Sequence, residues 1–143
     1  MSDPYKLQRF VDAQQEDFFI ALEELRAGAK QSHWMWYIFP QLADLGRSST
    51  AKYYGIASLD EARAYLDHPE LGPRLRQCLG AILQWADHKT PDQVLGTVDS
   101  MKLRSSLSLF EAASGDIAFG RALDALFSGQ RDDATLALLN SDR

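Results

Sequence analysis

The chain has 143 residues, with 15 Lys and Arg against 20 Asp and Glu, one cysteine and three tryptophans. This length suits one domain that buries roughly 68–70% of its unfolded surface. A composition 45% apolar and 24% charged excludes wholesale disorder. The net charge of −5 excludes a dedicated nucleic-acid binder, whose phosphate contacts need a basic field. A lone Cys78 excludes a disulfide framework and a Cys-rich zinc site. No apolar run approaches the roughly 20 residues that span a bilayer, and MSDPYKLQRF lacks the apolar stretch of a secretory signal. The expectation is a single domain over residues 1–143 in the cytoplasm, with neither nucleic acid nor membrane as partner.

Taken in chain order, the punctuation predicts helices. Asp3-Pro4 offers an N-cap with Pro at the first helical position. Leu7, Phe10, Val11, Phe18, Leu22 and Leu25 follow a period near 3.6, with a break around Gln14-Gln15 and Gly28 at the C-cap. Gly46-Arg47-Ser48 reads as a turn feeding a helix at Ser48, a geometry able to hold an anion beside Arg47. Ser58 and Glu61 have capping-box spacing, and His68-Pro69 ends that helix. Pro73 opens a segment carrying Leu75, Cys78, Leu79 and Ile82, and Thr90-Pro91-Asp92-Gln93 opens a short turn ending at Gly96. Asp99 is placed as the cap of a helix through Leu103, Leu107 and Phe110 to Ser114-Gly115. Asp116 starts a helix that Gly129 stops, and Asp132 or Asp133 starts a last one through Leu139. No stretch alternates as a strand does. The prediction is an all-α, multihelical domain of seven to nine short helices around a central aromatic helix.

That aromatic helix is the segment Ser32-His33-Trp34-Met35-Trp36-Tyr37-Ile38-Phe39-Pro40, apolar in every register. Ser32 is expected to cap it and Pro40 to end it. Between Arg26 and Tyr54 stand four Lys or Arg and one acid, Asp44, which reverses the charge balance of the whole chain. Aromatic rings beside cations suit an anionic planar ligand such as a nucleotide or sugar phosphate. The same rings read equally as core. His33 is a candidate acid/base or phosphate donor, and equally a histidine satisfied by backbone. No partner lies at metal-ligand spacing, and no Gly-rich phosphate loop or paired-carboxylate pattern occurs. The sequence calls for no metal and no cofactor.

The second candidate segment is Asp99-Ser100-Met101-Lys102-Leu103-Arg104-Ser105-Ser106-Leu107. In a helix Lys102 and Ser106 share a face and Ser105 lies close to it, an arrangement that could take a phosphate or carboxylate. A Lys–Ser nucleophile pair lacks any matching motif order. The plainer alternative is a capped helix with serines on its polar face. The candidate site therefore comprises His33, Trp34, Trp36, Arg47, Lys102, Arg104, Ser105 and Ser106. Two readings stand beside it: a protein-interaction module without catalysis, and an N-glycosidase acting on a nucleotide-like substrate, which needs an acid such as Asp99 in the pocket.

The run Lys30-Gln31-Ser32-His33-Trp34-Met35-Trp36-Tyr37-Ile38-Phe39-Pro40-Gln41-Leu42 closely resembles the signature of a bacterial family catalogued as domain of unknown function 1810. Arg9-Phe10-Val11, Leu45-Gly46-Arg47-Ser48, His68-Pro69-Glu70-Leu71-Gly72-Pro73-Arg74-Leu75, Lys102-Leu103 with Ser105-Ser106, and Thr135-Leu136 match as well. The resemblance spans nearly the whole chain and implies a multihelical, all-α fold. Some members carry a calpastatin label, which does not transfer: calpastatins are long, disordered and repetitive, and this chain is short and globular. Family patterns place Ser-Met-Thr-Leu-Phe where this chain has Ser106-Leu107-Ser108-Leu109-Phe110, so Ser108 keeps the hydroxyl.

Overall fold

The computed structural model describes residues 3–141, and among these nine α-helices and one 3-10 turn succeed one another without a strand. Helix α1 spans Gln8–Ala27. The Asp3 carboxylate accepts the Leu7 and Gln8 amides, so the Asp-Pro cap acts a turn earlier than the regular helix. The apolar gap at Gln14 does not interrupt α1. Gln14 is buried and donates to the Tyr37 carbonyl at 2.7 Å and the Tyr65 hydroxyl at 3.0 Å. A polar side chain thus occupies a core position because two acceptors are waiting there. Gly28 ends α1 at φ 71°, in the left-handed region. A Cβ there would also meet the Trp85 ring at 2.7 Å, and the Trp85 indole donates to the Leu25 carbonyl in the last turn of the helix.

Helix α2 is a single turn, Met35–Ile38. Most of the aromatic segment is buried, with Trp34, Met35, Ile38 and Phe39 within the core, but Trp36 is half-buried and His33 exposed. Its regular helix is short because the chain from Gln31 to Trp34 is bound sideways by Glu24, and Ser32 gives its hydroxyl to that carboxylate instead of capping α2. A 3-10 turn at Ala43–Leu45 leads to α3, Ser49–Tyr53, capped by Ser48. One parallel bridge joins Leu42 to Ile56 and ties this excursion together.

Helix α4 (Leu59–Asp67) starts where Ser58 accepts the Glu61 amide and ends at His68 before Pro69. Helix α5 (Leu71–Leu83) begins two residues before Pro73. His68 Nδ1 accepts the Glu70 and Leu71 amides at its start. Helix α6 (Pro91–Leu95) has the full Thr90–Gln93 capping box. Helix α7 (Thr97–Ser114) follows directly from Gly96, so Asp99 lies in its first turn and caps nothing. Helices α8 (Ile117–Phe127, capped by Asp116) and α9 (Asp133–Ser141) complete the chain.

Helix α7 packs against α4, α6, α8 and α9, while α1 packs on α5 and α2. Buried rings run through the middle: Phe10 meets Tyr65 edge-on, Tyr65 lies against Phe110, and Phe110 stacks on Phe119. Cys78 is buried, and burial pushes its thiol up to about 12, so it is an inert core residue. Among the described residues no helix is long and apolar enough to cross a membrane, and no group of His, Cys, Asp or Glu is arranged to hold a metal.

Candidate functional site

The loop joining α1 to α2 is organised by one carboxylate. Glu24 sits in the last turn of α1, where the helix dipole disfavours an acid. Its Oε1 accepts the Gln31 amide at 2.8 Å, the Ser32 amide at 2.9 Å and the Trp34 indole N–H at 2.9 Å. Its Oε2 accepts the Ser32 hydroxyl at 2.6 Å. Burial opposes ionisation of this group, but the Ser32, Gln31 and Trp34 hydrogen bonds outweigh it and lower the carboxyl to about 2. The Trp34 ring is thereby fixed and fully buried.

Lysines then meet the indoles. The Lys30 ammonium lies 5.1 Å from the Trp34 ring, and Lys102 lies 5.1 Å from the Trp36 ring. One carboxylate links the two: Asp99 pairs with Lys30 at 2.9 Å and with Lys102 at 3.7 Å. The aromatic segment and the start of α7 therefore do meet. The third tryptophan follows the same rule, with Lys89 5.1 Å from Trp85 and its ammonium on the Gly28 carbonyl at 3.0 Å. What separates the three lysines is how firmly each is held. Lys30 is 8% exposed and tightly paired, and Lys89 has a carbonyl. Lys102 is 26% exposed and holds Asp99 only at long range. Trp36 is half-buried, with surface still open to solvent.

The other expected residues sit elsewhere or serve the fold. The His33 imidazole is exposed, and it is the His33 carbonyl that accepts a bond, from the Tyr37 hydroxyl. That hydroxyl also donates to Asp17, and burial together with Asp17 raises its pKa. Arg47 is exposed, and the Ala51 amide at the start of α3 is already taken by the Ser48 hydroxyl. Ser105 and Ser106 are buried. Ser105 donates back to the Met101 carbonyl, and Ser106 Oγ has no partner among the described residues. Two residues along a helix is about 200°, which carries Arg104 to the opposite side of α7 from Lys102. There it lines a different cleft with Gln130 and Arg131. Ser108 donates to the Arg104 carbonyl and accepts the Asp132 amide, latching the start of α9 onto α7.

Sequence reading missed Glu24 and Lys30 as organisers. An acid in the last turn of a helix is the signal that could have found Glu24, since such a residue is unfavourable there unless something else uses it.

A family model described as Protein of unknown function (DUF1810) matches residues 4–139. The chain belongs to that family. Among solved structures it is similar to the conserved hypothetical protein Rv1873 from Mycobacterium tuberculosis, a crystal structure at 1.38 Å. The identity is 45% with a TM-score of 0.93, covering 96% of this chain and 99% of that one. Among curated proteins nothing matches. The DUF1810 fold is thus shared nearly end to end, and the family description gives no activity.

Proposed function

We propose that this DUF1810 protein binds a small, planar, anionic molecule, of nucleotide or sugar-phosphate type, at Trp36 and Lys102. The observation that carries this reading is the unequal grip on the three indole-bound lysines. Lys30 and Asp99 form a fixed, largely desolvated pair, whereas Lys102 rests on a half-buried ring with a weak tether. An incoming base or sugar can replace the Lys102 ammonium on the Trp36 face, and the displaced ammonium then meets the ligand's phosphate. Arginine-like bidentate binding is not required, because Lys acts as a point charge. Both Asp99 oxygens face ammonium groups, which supports a charge-organising role for this acid over attack or proton transfer in an N-glycosidase.

The test is a thermal-shift and tryptophan-fluorescence screen of nucleotides and sugar phosphates. A ligand at 100 times its Kd adds about 2.7 kcal/mol of stability. Trp36→Phe and Lys102→Ala should fold and weaken that ligand at least tenfold. If the whole panel leaves wild type unshifted, or both variants bind as wild type does, the reading fails. A second reading, a protein-interaction surface, draws on Val98 and Met101, which are 66% and 56% exposed beside Asp99 and Lys102. A change in binding of a protein partner with Met101→Ser, and not with Trp36→Phe, would favour it.

A further inference from the structure

On the far side of α7, a cleft of about 380 Å³ is lined by Arg104, Gln130, Arg131, Asp132, Asp133 and Ala134. Two arginines share it in opposite conditions. Arg131 is firmly held: its Nε and Nη2 hold Glu111 as a fork at 2.9 and 2.6 Å, and its Nη1 donates to the Gly129 carbonyl at 2.8 Å and faces Asp124. Gly120 leaves room for that fork, since a Cβ there would come within 2.7 Å of Glu111. Arg104 is half-buried, and no ion pair or side-chain hydrogen bond engages its guanidinium among the described residues. Its Nε is buried without an acceptor. Leaving such a donor unpaired is costly, and a native protein that does so has a reason.

The surroundings define the missing partner. Asp132 Oδ2 accepts the Thr135 amide and hydroxyl at the start of α9, and neither Asp132 oxygen pairs with Arg104 among the described residues. Asp133 is exposed at the start of α9 and contributes a negative charge to the rim. A dianion would be repelled by these two carboxylates. A monoanionic carboxylate would take the Arg104 fork as Glu111 takes that of Arg131, and a cationic group on the same molecule would find Asp133.

We infer that this cleft is a second binding site, for a small zwitterionic carboxylate of the amino-acid class, with Arg104 as its carboxylate receptor. Binding draws the guanidinium into the cleft and gives its orphaned donor an acceptor. The site is independent of Trp36 and Lys102, which lie across α7.

The experiment is a ¹H–¹⁵N NMR titration of the full chain with a panel of free amino acids, and with acetate and inorganic phosphate separately. The expected result is a saturable shift of the Arg104 Nε–Hε signal and of the amides from Gln130 to Ala134. At least one amino acid should bind tenfold or more tighter than acetate. Arg104→Lys, shown folded by an unchanged Trp and methyl spectrum, should lose the response. Asp133→Asn should narrow the gap between amino acid and acetate. The inference is overturned by absence of a saturable shift at tens of millimolar, by an undiminished response in folded Arg104→Lys, or by phosphate binding tighter than every amino acid. Should Arg104→Lys unfold, the Asp133→Asn comparison decides.

Discussion

Replacing Glu24 by glutamine keeps the side chain's shape and removes its charge, which isolates what that carboxylate does. In the folded protein it is ionised down to about pH 2, against an ordinary value of 4.5. A difference of that size corresponds to about 3 kcal/mol, and partial solvent contact reduces it to about 2 kcal/mol. Because the folded value is depressed, this stabilisation is complete above about pH 5 and is lost as pH falls from 4.5 toward 2. Urea unfolding of wild type and Glu24→Gln between pH 7 and pH 3 measures it directly. At pH 7 the variant should be weaker by about 2 kcal/mol, a fall in Tm of roughly 6–8 °C for a domain of this size. The gap should close progressively below pH 4.5, where Glu24 takes up a proton in the unfolded wild-type chain while the folded protein still holds it ionised. A gap under about 0.5 kcal/mol at pH 7, or one unchanged between pH 7 and pH 3, would refute the account of Glu24 as organiser of the Trp34 loop.

Three further outcomes follow from the packing. Trp34→Ala, which empties a fully buried site and strands Glu24, should cost about 3–5 kcal/mol, while Trp36→Ala at its half-buried position costs clearly less; thermal melts compare them. Arg9 pairs with the buried Glu61 at 2.7 Å and donates to the Tyr5, Lys6, Tyr53 and Gly55 carbonyls, so Arg9→Met should cost about 3–5 kcal/mol and speed amide exchange around Tyr53–Ile56. Glycines in α5 should respond in opposite directions to alanine. Gly80 faces open space inside a helix and should gain about 0.5–1 kcal/mol, whereas a Cβ at Gly72 would lie 2.1 Å from the Leu66 carbonyl and should destabilise; paired denaturant curves settle both.

The sequence by itself determined the all-α class and most helix ends. Ser48, Ser58, Thr90 and Asp116 each bind an amide two or three residues ahead, and Gly28 and Gly115 close helices at positive φ. These are local events, decided by neighbours in the chain, and the residue types that perform them are few. It also singled out the two segments that meet, through their aromatic and cationic residues. Only the tertiary structure decided what each side chain does there. Asp99 has the composition of a cap, yet it binds Lys30 and Lys102 because α7 begins two residues before it and the loop that follows α1 brings Lys30 beside it. Ser105 and Ser106 look like a polar face but are turned to the interior by the helices packed around α7. Lys102 and Arg104 are two positions apart in sequence and serve opposite sides of one helix. Pairings between distant segments depend on how helices are placed against one another, and no local spacing encodes that placement. The net charge of −5 is an average over such placements, and it conceals a lysine pair sharing one aspartate at one surface and, at another, an arginine whose Nε has no acceptor among the described residues.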